Sequence, residues 1–154
     1  MALDEAIAQS VSTGEDDETR LPQEGPYAVE VVANVMVAMR DGVQLAVDLY
    51  VPMALAYASG MRWPCLLERT PYDKSAIAQS DVVAGYPRPL TKPQIARWFA
   101  SHGFVMAMLD CRGLYRSQGV FTKYTNEAED GYDTRARLAA PPWRAGRVVA
   151  PGLS

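Results

Sequence analysis

Gly152-Leu153-Ser154 closes the 154 residues and follows a short β-prone run, Arg147–Ala150. A serine two places after a glycine at a strand's end is the first half of a nucleophile elbow. There a sharp strand-to-helix turn lifts the hydroxyl clear of the sheet to attack an acyl carbon. A polar chain end is the other reading of so short a motif. Serine acyl transfer also needs a base, an orienting carboxylate and two donors for the oxyanion. The single histidine, His102, precedes the serine. At the carboxyl end of a helix, beside Gly103, it suits the helix dipole and packing near Trp98 better than catalysis. Asp110 and Arg112 are a second charged pair. Their simpler reading is structural, with Arg112 gripping a nearby carboxylate through both arms of its guanidinium and fixing its loop. Cys111 has no second histidine to activate it and reads as a small buried filler.

Tyr72, following Pro71, reads by itself as a residue that caps a turn or packs on a loop. Asp73 and Lys74 read as makers of local turn hydrogen bonds or of a surface ion pair. The acids from Glu127 to Asp133 read as a solvated helix start without the ligand spacing of a calcium loop. No phosphate loop, dinucleotide fingerprint or zinc pattern is present, so no cofactor and no metal are expected.

Composition narrows the classes. Length fits one domain, and 49% hydrophobic residues are enough for a real core. The formal charge of −3 gives no reason to expect nucleic acid as a partner. That charge is uneven: residues 1–26 carry seven acids against Arg20 alone, a local −6, which leaves +3 for the rest. With Pro22, Gly25 and Pro26 as breakers, residues 1–26 read as an acidic tail that buries little, with at most a short helix at Leu3–Gln9. The two cysteines, Cys65 and Cys111, form no disulfide framework, which fits a reducing compartment. No apolar run reaches the ~18 residues of a membrane span, and the acidic start does not suit a signal peptide. A cytoplasmic protein without a membrane partner is expected.

The elements that would position these residues follow from the hydrophobic pattern. Val29–Met39 and Val43–Val51 read as a hairpin around Arg40-Asp41-Gly42, with Pro52 as its end. In the second strand Val43, Leu45, Val47 and Leu49 face one way, and Gln44, Ala46, Asp48 and Tyr50 the other. Pro64–Thr70 is a strand, broken by Pro71-Tyr72-Asp73-Lys74. Residues 75–92 form a loop long enough to be functional. Pro93–His102 is a helix whose face is Ile95, Trp98, Phe99 and His102, stopped by Gly103. Phe104–Asp110 is a buried strand, Glu127–Ala140 a helix ended by Pro141-Pro142, and Arg147–Ala150 the last strand. Strand, helix, strand, helix, strand predicts a parallel sheet covered by helices, with ligands at the carboxyl ends of the strands. Tyr72, the Asp110–Gly113 loop and Ser154 all fall at that edge.

Four stretches in this order carry a resemblance: Asn34–Pro52 (NVMVAMRDGVQLAVDLYVP), Arg69–Lys74 (RTPYDK), Leu109–Phe121 (LDCRGLYRSQGVF) and Glu127–Thr134 (EAEDGYDT). They resemble the CocE/NonD hydrolases, the Xaa-Pro dipeptidyl-peptidase-like (S15) group of α/β-hydrolases, from about Tyr27 onward. The resemblance implies the N-terminal part of an α/β-hydrolase fold, truncated: a β-hairpin followed by a mostly parallel sheet with flanking helices. Residues 1–26 would be its tail and 27–154 a partial hydrolase domain. It further implies a serine hydrolase that cleaves an ester or amide through an acyl-enzyme, on a small molecule or a short peptide. Pro142-Trp143-Arg144-Ala145-Gly146 aligns Ser154 with the family's nucleophile, and Tyr72 with a tyrosine that donates to the oxyanion. The family's aspartate and histidine lie downstream of its serine. Val149-Ala150-Pro151 departs from the family pattern, in which a glycine follows the strand valine. The rival expectation is therefore an inert remnant without a complete triad.

Overall fold

The computed structural model describes residues 24–53, 63–78, 89–140 and 147–151. The acidic segment up to residue 23, with its expected Leu3–Gln9 helix, lies outside that set. So do most of the long loop, the Pro142–Gly146 stretch and Ser154.

Two long strands, β1 (Ala28–Ala38) and β2 (Gln44–Met53), pair antiparallel around the Asp41-Gly42 turn. Gly42 takes φ +85°, the left-handed geometry that this turn needs. β1 holds one extra residue: Val32 faces Leu49 and Val35 faces Val47. The bulge centres on Asn34, at φ +55°, and re-aims its side chain. Pro52 does not end β2 as expected, because the strand runs on to Met53. Pro52 lies beyond the last β2–β4 pair, Tyr50 with Met106, where a residue lacking an N–H is tolerated.

β3 (Cys65–Thr70), α1 (Lys92–Ser101), β4 (Val105–Asp110), α2 (Glu127–Ala139) and β5 (Val148–Val149) complete the order. The sheet runs β1-β2-β4-β3-β5. β2 is antiparallel to β4, while β3 is parallel to both β4 and β5. Leu45, Val47, Leu49, Leu67, Ala107 and Leu109 form one core face with Leu138 of α2. Tyr50, Met106 and Met108 form the other with Ala96 and Ala100 of α1. A sheet covered on both sides explains why β4 is apolar from Val105 to Leu109 rather than alternating.

α1 begins with a capping box. Gln94 N–H donates to Thr91 Oγ1, and Thr91 N–H donates to Gln94 Oε1. The expected apolar face is turned by about one residue. Ile95, Ala96 and Ala100 are buried, whereas His102 is exposed and tilted against the Trp98 ring at 4.2 Å between centroids. Small alanines let α1 approach the sheet, and the larger Trp98 and Phe99 sit at its flank. Gly25 N–H donates to Ser101 Oγ and Tyr27 N–H to Ser101 O, docking the chain before β1 onto the end of α1.

Candidate active site

The parallel strands β3 and β4 end side by side at Thr70 and Asp110. The turn after β3 carries Tyr72. Its N–H donates back to Thr70 Oγ1 at 3.0 Å, and its side chain is 75% exposed at the sheet edge. Asp73 reverses the chain at φ +68°. Its carboxylate accepts from Ser75 N–H at 2.9 Å and Ser75 Oγ at 2.6 Å, which holds its pKa below the usual carboxylate value. Asp73 thus makes the local turn bonds expected of it.

Lys74 does not make a surface ion pair. It is buried, and its ammonium meets residues from three other places in the fold. Nζ donates to Asn34 Oδ1 in the β1 bulge at 3.0 Å, and lies 3.2 Å from Asp48 Oδ2 in β2 and 3.6 Å from Asp110 Oδ2 at the end of β4. The Lys74 N–H donates to the other oxygen of Asp110 at 2.9 Å. Asp48 in turn accepts from Asn34 N–H at 2.7 Å. No local pattern around Lys74 announces this cluster. Its partners come together through the bulge and the β2–β4 pairing. A cleft of about 500 Å3 opens beside it, lined by Asn34, Asp48, Asp73, Lys74, Ser75, Tyr115 and Arg116.

The loop after β4 folds back over the same edge. Cys111 N–H donates to Thr70 O, and Gly113 N–H to Gln118 O. Ser117 Oγ donates to Asp110 O and accepts from Ala46 N–H. Arg112 grips Asp130 of α2 with Nε at 2.9 Å and Nη2 at 2.6 Å, and reaches Asp41 of the hairpin turn with Nη1 at 2.6 Å. This is the two-armed carboxylate clamp read from the sequence. The α2 acids, by contrast, are not simply solvated. Asp130 is buried on Arg112, Glu127 pairs with Arg69, and Glu129 and Asp133 pair with Arg40. Cys111 is buried, and its thiol is pushed up to about 11 by burial and by Glu127. It is a poor nucleophile at neutral pH. Among the described residues no three histidines, cysteines or carboxylates converge as metal ligands do.

His102 stands at the other side of the sheet. It follows α1, just before the amino end of β4, with Nδ1 2.7 Å from Trp98 O. Ser154 lies outside the described residues, so its side chain has no geometry to report.

This strand order, with helices on both faces and its polar turns at the carboxyl ends of β3 and β4, is that of the α/β-hydrolases. A CocE/NonD family hydrolase from Staphylococcus aureus shares the fold at TM-score 0.59 and 21% identity, over 80% of this chain and 23% of its own. An α-amino acid ester hydrolase does so at TM-score 0.56 and 21% identity, over 92% of this chain and 24% of its own. The chain belongs to the X-Pro dipeptidyl-peptidase (S15) family, whose pattern matches residues 41–154, and which is a family of hydrolases. The cocaine esterase of Rhodococcus sp. (strain MB1 Bresler) is 38% identical over 133 residues, 85% of this chain. The chain spans about a fifth (20%) of the length of that curated relative.

Proposed function

We propose that this chain supplies the nucleophile and one oxyanion donor of a serine hydrolase that cleaves an ester or amide bond through an acyl-enzyme. Ser154 attacks the carbonyl carbon. The Tyr72 hydroxyl donates to the oxyanion that forms, together with a backbone N–H. The observation that carries this is the parallel pairing of β3 with β5, which brings Leu66 opposite Val149. Five more residues along each chain reach Pro71 and Ser154, so the exposed tyrosine and the serine follow neighbouring strands that run the same way. The substrate is a small ester or amide or a short peptide, in keeping with the cocaine esterase this chain is similar to and the peptidase family it belongs to. Residues 1–26 are an acidic tail, with Gly25 resting on α1, and the protein works in the cytoplasm. Among the described residues no helix is long and apolar enough to cross a membrane.

A second reading concerns the 154 residues by themselves. Their one histidine is at the wrong edge, so by themselves they hold no base for Ser154; in the proposed enzyme the histidine and aspartate lie downstream of the serine, as the family resemblance implies. Alone, these residues are expected to be inert. A fluorophosphonate probe distinguishes the possibilities. Full-length protein should be labelled and its Ser154→Ala variant should not. Equal labelling of both removes Ser154 from the nucleophile's role.

A further inference from the structure

We infer that Lys74 is a positioning residue for Tyr72: its buried ammonium pins the turn from beneath so that the tyrosine is presented at the sheet edge. This rests on the oxyanion role proposed for Tyr72. The two side chains leave the same turn in opposite senses. Tyr72 is 75% exposed, and two residues later Lys74 is 5% exposed. Between them Asp73 turns the backbone at φ +68° and ties its carboxylate to Ser75. The turn is then held at both ends, by Thr70 Oγ1 on the Tyr72 N–H and by Asp110 Oδ1 on the Lys74 N–H.

The far end of Lys74 makes this more than a local turn. Four separate parts of the chain converge on one ammonium: the β1 bulge through Asn34, β2 through Asp48, the end of β4 through Asp110, and the turn itself. Asp110 is fully buried and holds Lys74 twice, at its backbone and at its Nζ. Buried charge clusters are poor sources of stability, since an apolar residue of similar size often serves as well or better. In some proteins such a cluster supplies a unique arrangement instead. Here it fixes the turn's height and rotation against the three strands that end or pass beside it. Oxyanion stabilisation depends on such placement, because a donor must already point to where charge develops. Displacement of a group by about 1 Å costs roughly a hundredfold in rate.

The test is a double-mutant cycle in active full-length enzyme with an activated ester. Tyr72→Phe should lower kcat by about a hundredfold, the usual loss for one oxyanion donor. Lys74→Met should lower kcat by roughly ten- to a hundredfold with KM within about twofold, as misplacement of the donor predicts. The double variant should be no slower than Tyr72→Phe alone. Full multiplication of the two effects, or an unchanged kcat in folded Lys74→Met, overturns the inference while leaving Tyr72 in its role. An unchanged kcat in Tyr72→Phe overturns the oxyanion role itself, and the inference with it. Should Lys74→Met fail to fold, Asp48→Asn replaces it. Its amide can satisfy either the Asn34 N–H or the Lys74 ammonium but must set a donor against the other. It should lower kcat in the same coupled way, and additivity with Tyr72→Phe again overturns the inference.

Discussion

Arg112 and Lys74 show what a single residue can and cannot disclose. Arg112 sits in a loop that holds Gly113 and Gly119 and precedes an acid-rich helix, so a carboxylate clamp is legible in the sequence. The clamp joins three elements through Asp130, which is 2% exposed, and Asp41. Arg112→Ala strands a buried carboxylate and should cost about 3 kcal/mol or more, read as a lower urea midpoint. Arg40→Ala removes a half-exposed guanidinium from Glu129 and Asp133 while the residue 40 N–H keeps its bond to Asp133, and should lower that midpoint less than Arg112→Ala. Lys74 is illegible because its partners Asp110 and Asn34 are 36 and 40 positions away, and one of them is aimed by a bulge that no sequence pattern marks. The cysteines give a prediction of their own. Burial raises Cys65 to about 12 and Cys111 to about 11, so both stay protonated well above neutrality. At pH 8 the native protein should react with a thiol–disulfide reagent only slowly, and both thiols should react at once in guanidinium.

At the scale of elements, the strands and helices can be read from hydrophobic period and breakers, because each fills a role that its own residues prescribe. β2 alternates between two buried faces, β4 is apolar up to its last residue, Asp110, and Pro93 and Gly103 punctuate α1. What cannot be read is how neighbours alter an element. Pro52 stays in its strand because no β4 residue pairs there, and α1 turns its alanines inward because the sheet comes close. The loop after β4 is the element on which the polar edge depends, and Gly113 is its pivot. It sits at φ +72°, and an added Cβ would lie 2.1 Å from the Phe121 backbone nitrogen. Gly113→Ala therefore meets backbone strain, about 1 kcal/mol or more, together with a clash that no side-chain rotation relieves. The expected outcome is a clear fall in the melting temperature. Loss of amide protection at Gln118 and Leu114 should accompany it, because their bonds to Gln44 and Cys111 hang on this loop.

At the scale of the whole molecule, the sheet sorts the polar residues by edge, and this decides which of them can share one reaction. Tyr72, Lys74 and Asp110 lie at the carboxyl ends of β3 and β4, and the parallel pairing sends the chain out of β5 in the same direction. His102 lies before the amino end of β4, and the six residues of that strand, Val105–Asp110, separate it from the other edge. At about 3.3 Å per residue the strand alone spans roughly 17 Å, against the ~3 Å over which a side chain passes a proton. Nor is the ring free to swing across the sheet. It leans on Trp98, and its Nδ1 is held at the Trp98 carbonyl, 2.7 Å away. If Ser154 is the nucleophile, as proposed, His102 is therefore not placed to be its base. His102→Gln in active full-length enzyme should keep kcat and the pH dependence of kcat/KM within about twofold of the parent, since neither reports a group outside the proton path. A loss comparable to that of Ser154→Ala would mean that His102 reaches the serine in the assembled enzyme, and the edge-by-edge assignment of roles would have to be redrawn.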